Sequence, residues 1–151
     1  MSDEYKTLAV VSGGFDPVHV GHLELFNKAR QVADELHVIV NNDNFLKRKK
    51  IKPFMGLEER MAIIGAFKAV DEVVESIDED DTVCATLAWL VALNKSKYEE
   101  IYFCNGGDRT DGTNTPEHQL CEELGINSVY GLGDKIQSSS WLLENKPNLI
   151  T

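Results

Sequence analysis

Short runs of apolar residues alternate with longer segments of helical periodicity along the chain, and this alternation constrains the fold more than any other feature. Residues 8–12 (LAVVS) and 36–40 (LHVIV) are brief, apolar and rich in β-branched side chains, which predicts buried strands. Residues 57–64 (LEERMAII) place apolar side chains at three- and four-residue steps, which predicts a helix. Strands that alternate with helices are typical of βα units around a parallel sheet, so the sequence predicts the α/β class.

The same patterns predict one domain over residues 1–151, without an internal repeat or an interdomain linker. A chain of this length suits a single core of ordinary size. We expect a Rossmann-like, doubly wound sheet of about five parallel strands, with ligands bound at the carboxyl ends of the strands. The predicted strands cover residues 8–12, 36–40, 72–76, 101–104 and 128–130, and the predicted helices cover residues 21–33, 57–64, 82–93, 116–124 and 138–143.

Composition argues against two classes of partner. The formal net charge is -10, whereas a protein that binds nucleic acid generally has an excess of lysine and arginine. No apolar run reaches the roughly 18 residues that span a bilayer, and the N-terminus lacks the basic and apolar regions of a signal peptide. We therefore expect a cytoplasmic protein that binds neither nucleic acid nor a membrane.

A basic island interrupts this acidic chain, because five of the fifteen lysine and arginine residues fall within residues 47–52. Such an island is commonly a solvated loop, but it also suits a site for a multiply charged phosphate. Polar residues follow the first, second and fourth predicted strands, at 13–22, 41–52 and 105–114. The carboxyl ends of parallel strands share one edge of a sheet, so these clusters predict a single site.

The most informative segment is residues 12–22, SGGFDPVHVGH, between the first predicted strand and the first predicted helix. Gly13 and Gly14 let the backbone pass close to a phosphate chain, and the helix offers unpaired N–H groups and the positive end of its dipole. His19 and His22 can both face an anion held there and donate hydrogen bonds to an α-phosphate. Simpler explanations exist: a histidine can cap a helix, two glycines can form a turn, and two histidines can bind a metal, although no third ligand is obvious.

The segment resembles the signature of a known superfamily. His19-Val20-Gly21-His22, preceded by Gly14-Phe15-Asp16, is similar to the motif of nucleotidylyltransferases, which include cytidylyltransferases, pantetheine-phosphate adenylyltransferase and nicotinamide-mononucleotide adenylyltransferase. The resemblance implies transfer of a nucleoside monophosphate from CTP or ATP to a phosphorylated small molecule, with release of pyrophosphate. It also implies Mg2+ bound with the triphosphate, no organic cofactor, no covalent enzyme intermediate, and a homodimer.

Other segments resemble the heptose-1-phosphate adenylyltransferase and glycerol-3-phosphate cytidylyltransferase branch, over residues 8–143. They are Asn42-Asp43 with the basic island, residues 57–61, the acidic stretches near residues 71 and 80, and residues 105–108. The implied catalytic residues are His19, His22, Lys50 and Arg60, and the implied nucleotide-binding residues are Gly13, Gly14, Phe15, Asp16, Gly21, Lys47, Gly107, Asp108, Ser138 and Ser139. Candidate acceptor-binding residues are Asp43, Arg48 and Arg109, the last from a loop that matches no relative.

Several of these residues also have structural interpretations. Arg60 offers a planar fork for a phosphate, or it is an exposed helical residue paired with a glutamate in its own turn. Asp108 binds ribose or base, or it hydrogen-bonds its own turn. Ser138 and Ser139 hold the β- and γ-phosphates, or they only cap a helix. Asp16 orients either its own loop or a substrate group.

Departures from the relatives keep the substrate open. Residues 131–135 are GLGDK, where glycerol-phosphate cytidylyltransferases have an arginine-threonine-glutamate-glycine run. The nicotinamide-mononucleotide enzymes have an arginine in the serine helix, where this chain has Trp141-Leu142-Leu143. The first departure weakens the assignment to glycerol phosphate in particular. From the resemblance to the branch as a whole we expect transfer to a sugar or polyol phosphate. The alternatives are adenylyl transfer to a nucleotide or cofactor precursor, and a non-catalytic nucleotide-binding domain.

Overall fold

The computed structural model describes residues 6–48, 54–80, 82–106 and 115–132. Within these ranges, five parallel strands form one sheet in the order β3-β2-β1-β4-β5. This confirms the predicted α/β, Rossmann-like class with five parallel strands. The elements in chain order are β1 (Lys6–Gly13), α1 (Val20–Val32), β2 (Glu35–Val40), α2 (Asp43–Arg48), α3 (Leu57–Gly65), β3 (Glu72–Glu75), α4 (Cys84–Asn94), β4 (Tyr98–Gly106), α5 (Pro116–Leu124) and β5 (Asn127–Leu132).

Helices cover both faces of the sheet, because successive side chains of each strand point to opposite sides. In β1, Ala9 and Val11 belong to the core cluster that includes Phe26 of α1 and Ile64 of α3. Leu8 and Val10 of the same strand pack instead in the cluster that includes Leu87 and Leu90 of α4, together with Cys121 of α5. The central strand is therefore apolar on both sides, which explains the continuous apolar run in its sequence.

The strand order reverses between β1 and β4. The chain proceeds from β1 through β2 to β3 on one side, and then crosses to β4 and β5 on the other. A crevice at the carboxyl ends of the strands on either side of such a reversal is the usual ligand site in open α/β sheets. The segment with the two histidines follows β1, so the fold places it at this point.

Helix ends follow local chemistry. Pro116 is at the first position of α5, and Gly125 ends it in the left-handed conformation with φ 73°. For α4, the predicted start at residue 82 is two residues early, because the helix begins at Cys84. The carboxylate of Asp78, in the acidic loop before α4, accepts the amides of Ala85 and Thr86 in the first turn at 2.8 and 2.9 Å.

A helix that the sequence analysis missed lies where a loop was predicted. It is α2, and the side chain of Asn42 caps it by accepting the amide of Phe45 at 2.8 Å. Phe45 and Leu46 are both buried and fix the helix against the domain. The predicted helix at residues 138–143 lies outside the described residues. No helix in the described ranges is long and apolar enough to cross a membrane.

Candidate active site

His19 and His22 hold each other in place at the start of α1. His19 is the N-cap residue, and its Nδ1 accepts the amide of Gly21 at 3.1 Å. The amide of His19 in turn donates to Nδ1 of His22 at 3.2 Å. The two rings stack with centroids 3.8 Å apart and an interplanar angle of 24°. A reciprocal cap of this kind satisfies backbone donors at the helix start and fixes the orientation of both rings.

This hydrogen bonding assigns the tautomer of both rings. A ring nitrogen that accepts an amide proton has none of its own, so in each neutral imidazole the proton lies on Nε2. Burial lowers the pKa of His19 from its usual value. Burial, and then the charge of His19, lower the pKa of His22 to about 3. Both histidines are therefore neutral Nε2–H donors near pH 7.

The Nε2 atom of His19 is buried and has no hydrogen-bond partner among the described residues. An unpaired buried donor costs free energy, and such donors are rare in folded proteins. Helix α1 also has no acidic residue in its first turn to neutralise the positive end of its dipole. A donor without an acceptor, at the amino end of a helix, is suited to binding an anion.

The ring of Phe15 packs against His22, and Gly13 leaves room for that ring. Phe15 is 5% exposed, and its ring makes an edge contact with His22 at 4.8 Å between centroids. A Cβ at Gly13 would lie 2.9 Å from this ring, so the glycine leaves room for Phe15. At Phe15, φ is 53°, a left-handed conformation that is uncommon for a residue with a side chain. The side chain of Phe15 is thus a core residue packed against His22, and its predicted contact with the nucleotide stays a prediction.

Asp16 is the residue that joins this loop to the segment before α3. It is 5% exposed, and its two carboxylate oxygens accept the amides of Phe54 at 2.7 Å and Met55 at 2.6 Å. Of the two roles that the sequence leaves open, the structure places Asp16 in the one that orients loops.

Arg60 is fully buried on α3 and does not present its guanidinium to solvent. Its N–H groups donate to the backbone carbonyls of Gly14, Asn41 and Met55 and to the carboxylate of Asp43. This corrects the interpretation of Arg60 as an exposed surface residue, whereas its role toward a phosphate stays a prediction. Asp43, predicted to bind the acceptor, is paired with Arg60 at 2.6 Å, and its contact with an acceptor stays a prediction.

Asn41 and Met55 belong to this site although the sequence did not predict them. Both contact Arg60 through backbone carbonyls, and a backbone contact leaves no signal in residue type. Lys47 is exposed on α2 and borders the pocket described below. The side chain of Arg48 and the predicted site residues Lys50, Gly107, Asp108, Arg109, Ser138 and Ser139 lie outside the described residues, so their roles stay predictions.

The chain is similar to known proteins over most of the described fold. A family model of cytidylyltransferase-like proteins matches residues 10–132. The bifunctional protein HldE of an Enterobacter species is 43% identical over 115 residues, covering 68% of this chain and 24% of HldE. An FAD synthase of Thermococcus sibiricus is 44% identical over 71 residues, covering 46% of this chain and 48% of the synthase.

The matched regions therefore span about half of the synthase and about a quarter of HldE. A solved structure with the same fold is the lipopolysaccharide core biosynthesis protein of Thermoplasma volcanium, with a TM-score of 0.65 and 22% identity over 85% of this chain and 98% of that one. The matched family region runs from β1 to β5 and includes both histidines of the site. The chain belongs to the cytidylyltransferase-like family.

Proposed function

We propose that this protein transfers a nucleoside monophosphate from CTP or ATP to a sugar phosphate or polyol phosphate, with release of pyrophosphate. The observation that supports this most directly is the buried Nε2–H of His19, which has no acceptor among the described residues and lies at the amino end of α1. An α-phosphate supplies the missing acceptor. Membership of the cytidylyltransferase-like family agrees with this chemistry.

In the proposed reaction, a phosphate oxygen of the acceptor attacks the α-phosphorus in line. The bond from the α-phosphorus to the bridging oxygen breaks, and the electron pair leaves with pyrophosphate. His19 and His22 donate hydrogen bonds to the α-phosphate oxygens as negative charge builds up on them. Because both rings are neutral, they stabilise the transition state as oriented dipoles and do not transfer a proton. Catalysis then consists of positioning and electrostatic stabilisation.

Mg2+ enters this reaction as part of the triphosphate substrate. Among the described residues, no group of three histidine, cysteine, aspartate or glutamate side chains is placed to hold a metal ion. Asp16 of the histidine loop accepts two amides and Asp43 binds Arg60, so both of these carboxylates have partners. We propose that the phosphate oxygens of the substrate bind the ion.

A pocket at the carboxyl ends of β2 and β3 is suited to the acceptor. Its volume is about 630 Å3, which is within the range of small-molecule sites. Its carboxylates and amides can form hydrogen bonds with the hydroxyl groups of an acceptor. Lys47 at its border is the predicted ligand of the triphosphate, which would place the acceptor beside the nucleotide. Its polar lining residues include Asn42, Asn44, Lys47, Glu75, Ser76 and Glu79.

A second candidate function is adenylyl transfer to a cofactor precursor, and the similarity to an FAD synthase favours it. The two functions differ in the acceptor. The test is pyrophosphate release with Mg2+, in which CTP and ATP are each combined with glycerol-3-phosphate, heptose-1-phosphate, other sugar-1-phosphates and flavin mononucleotide. Release that requires one triphosphate and one sugar or polyol phosphate supports the first function, whereas release only with the flavin nucleotide supports the second.

A protein that binds a triphosphate but releases no pyrophosphate with any acceptor would instead fit a non-catalytic nucleotide-binding domain. We also propose that the protein forms a homodimer, which sedimentation of the purified chain tests.

A further inference from the structure

Arg60 connects three segments that are far apart in the sequence. Its Nη1 donates to the carbonyl of Gly14, after β1, at 2.8 Å and to the carbonyl of Asn41, after β2, at 2.6 Å. Its Nε donates to the carbonyl of Met55, before α3, at 2.9 Å. Its Nη2 donates to Asp43 at the start of α2, at 2.6 Å. One buried side chain therefore holds together the segments that follow β1 and β2 and the segment that precedes α3.

Met55 is held from the opposite side as well. Its amide donates to Asp16 at 2.6 Å while its carbonyl accepts from Arg60. Asp16 thus binds the N–H of Met55, and Arg60 binds the C=O of the same residue. We call Asp16, Asp43, Met55 and Arg60 the clasp.

The clasp fixes both sides of the basic island. On one side, Asp43 belongs to α2, the helix that also contains Lys47. On the other side, Phe54 and Met55 follow the island and are bound by Asp16. The same clasp holds the carbonyl of Gly14, five residues before His19. The position of Lys47 relative to the histidine loop therefore depends on Arg60.

The cost of burying a guanidinium supports a specific role for this residue. A buried charge is tolerated when it is paired and hydrogen-bonded, and here four of the five N–H donors have acceptors, one of which is a carboxylate. Lysine has the same charge but has no planar fork, so it cannot reach the same four acceptors. Because the guanidinium is fully buried, a phosphate could bind it only if the surrounding residues moved.

On the basis of the function proposed above, we propose that Arg60 is a positioning residue that aligns Lys47 with the two histidines and does not itself contact the triphosphate. Its effect on the reaction then passes through residues such as Lys47. Loss of the clasp is expected to raise the KM for the triphosphate and to weaken the contribution of Lys47 to triphosphate binding.

A double-mutant cycle tests this coupling. We expect Lys47→Ala to raise the KM for the triphosphate by about tenfold in the wild-type background and by less than about threefold in the Arg60→Lys background. Arg30→Lys is the matched control, because Arg30 also binds a backbone carbonyl and a carboxylate, those of Ala69 and Asp71. Additive effects of Lys47→Ala and Arg60→Lys would contradict the proposal and make Arg60 an independent ligand.

A second measurement needs no substrate. We expect Arg60→Lys to accelerate amide hydrogen exchange at Phe54 and Met55 in the free protein by at least about tenfold, and Arg30→Lys to leave it unchanged. If Arg60→Lys does not fold, Asp43→Ala replaces it, since this variant leaves the three carbonyl contacts and is expected to give smaller changes of the same sign. Unchanged exchange at both amides would overturn the proposal. Faster exchange without any pyrophosphate release would preserve the clasp and contradict the proposed function instead.

Discussion

The amide of His19 donates to Nδ1 of His22 at 3.2 Å, so the backbone of the first histidine orients the ring of the second. The two ring nitrogen atoms of His22 therefore have different roles. Nδ1 accepts the backbone amide and caps the helix, whereas Nε2 carries the proton that can be donated to a phosphate. An asparagine can imitate the Nδ1 acceptor, and a glutamine can imitate the Nε2 donor.

We predict that His22→Asn lowers kcat by about 100-fold or more while unfolding free energy stays close to that of the wild type, because the cap remains and the donor is lost. His22→Gln is expected to retain more of kcat and to lose more stability. The measurements are kcat from pyrophosphate release and urea-induced unfolding. A loss of kcat that follows the loss of stability in both variants would contradict the two-role assignment.

The lowered pKa of His22 predicts a dependence of stability on pH. Its pKa is about 3 in the folded protein and about 6.5 in the unfolded chain, so between these values only the unfolded chain takes up the proton. This contribution to the unfolding free energy is complete above about pH 6.5 and declines as the pH falls, by about 2 kcal/mol at pH 5.

Urea unfolding at pH 7 and pH 5 tests this, with His22→Gln as the reference that lacks the titrating ring. The wild type is expected to lose about 2 kcal/mol more than the variant between the two pH values. Equal losses in the two proteins would show that His22 is not a neutral buried base.

Asp16→Asn is predicted to destabilise the fold by about 1–3 kcal/mol, because an amide can accept only one of the two hydrogen bonds and turns a donor toward the other N–H. Asp34→Asn is the matched control. Asp34 also accepts a backbone amide, that of Thr7, but it is exposed and lies at the amino ends of β1 and β2, far from the histidine loop in the sheet. The measurement is the free energy of unfolding in urea, and an equal effect of both substitutions would argue against a special role for Asp16.

Gly13→Ala is predicted to lower kcat, since the new Cβ would lie 2.9 Å from the Phe15 ring that supports His22. Gly65→Ala provides the comparison, because its Cβ would make an ordinary contact with Val73 at 3.5 Å near the end of α3. We expect it to leave kcat unchanged and to stabilise the protein by up to about 1 kcal/mol through helix propensity. Wild-type kcat in Gly13→Ala would show that the Phe15 ring does not position His22.

The class of the fold and the histidine loop could be predicted from the sequence because their signals are local. Periodicity identifies strands and helices within a few residues, and Pro116 and Gly125 mark the ends of α5 through their own backbone preferences. The carboxyl ends of parallel strands then bring the polar clusters to one edge without further information.

The role of Arg60 could not be predicted in this way. Its partners Gly14 and Asn41 lie 46 and 19 residues away and contribute only backbone carbonyls. Nothing in the sequence LEERMAII distinguishes a buried arginine from an exposed one beside two glutamates. Helix α2 was missed for a related reason, because buried Phe45 and Leu46 stabilise it within a polar and basic segment.

The most direct test of the central claim is to follow the α-phosphate. With CTP or ATP labelled at the α-phosphorus, Mg2+ and the acceptor identified by pyrophosphate release, we predict that the label appears in the acceptor product, that unlabelled pyrophosphate forms in equal amount, and that no label stays bound to the protein. Transfer of the γ-phosphate instead, or a labelled protein intermediate, would contradict the account.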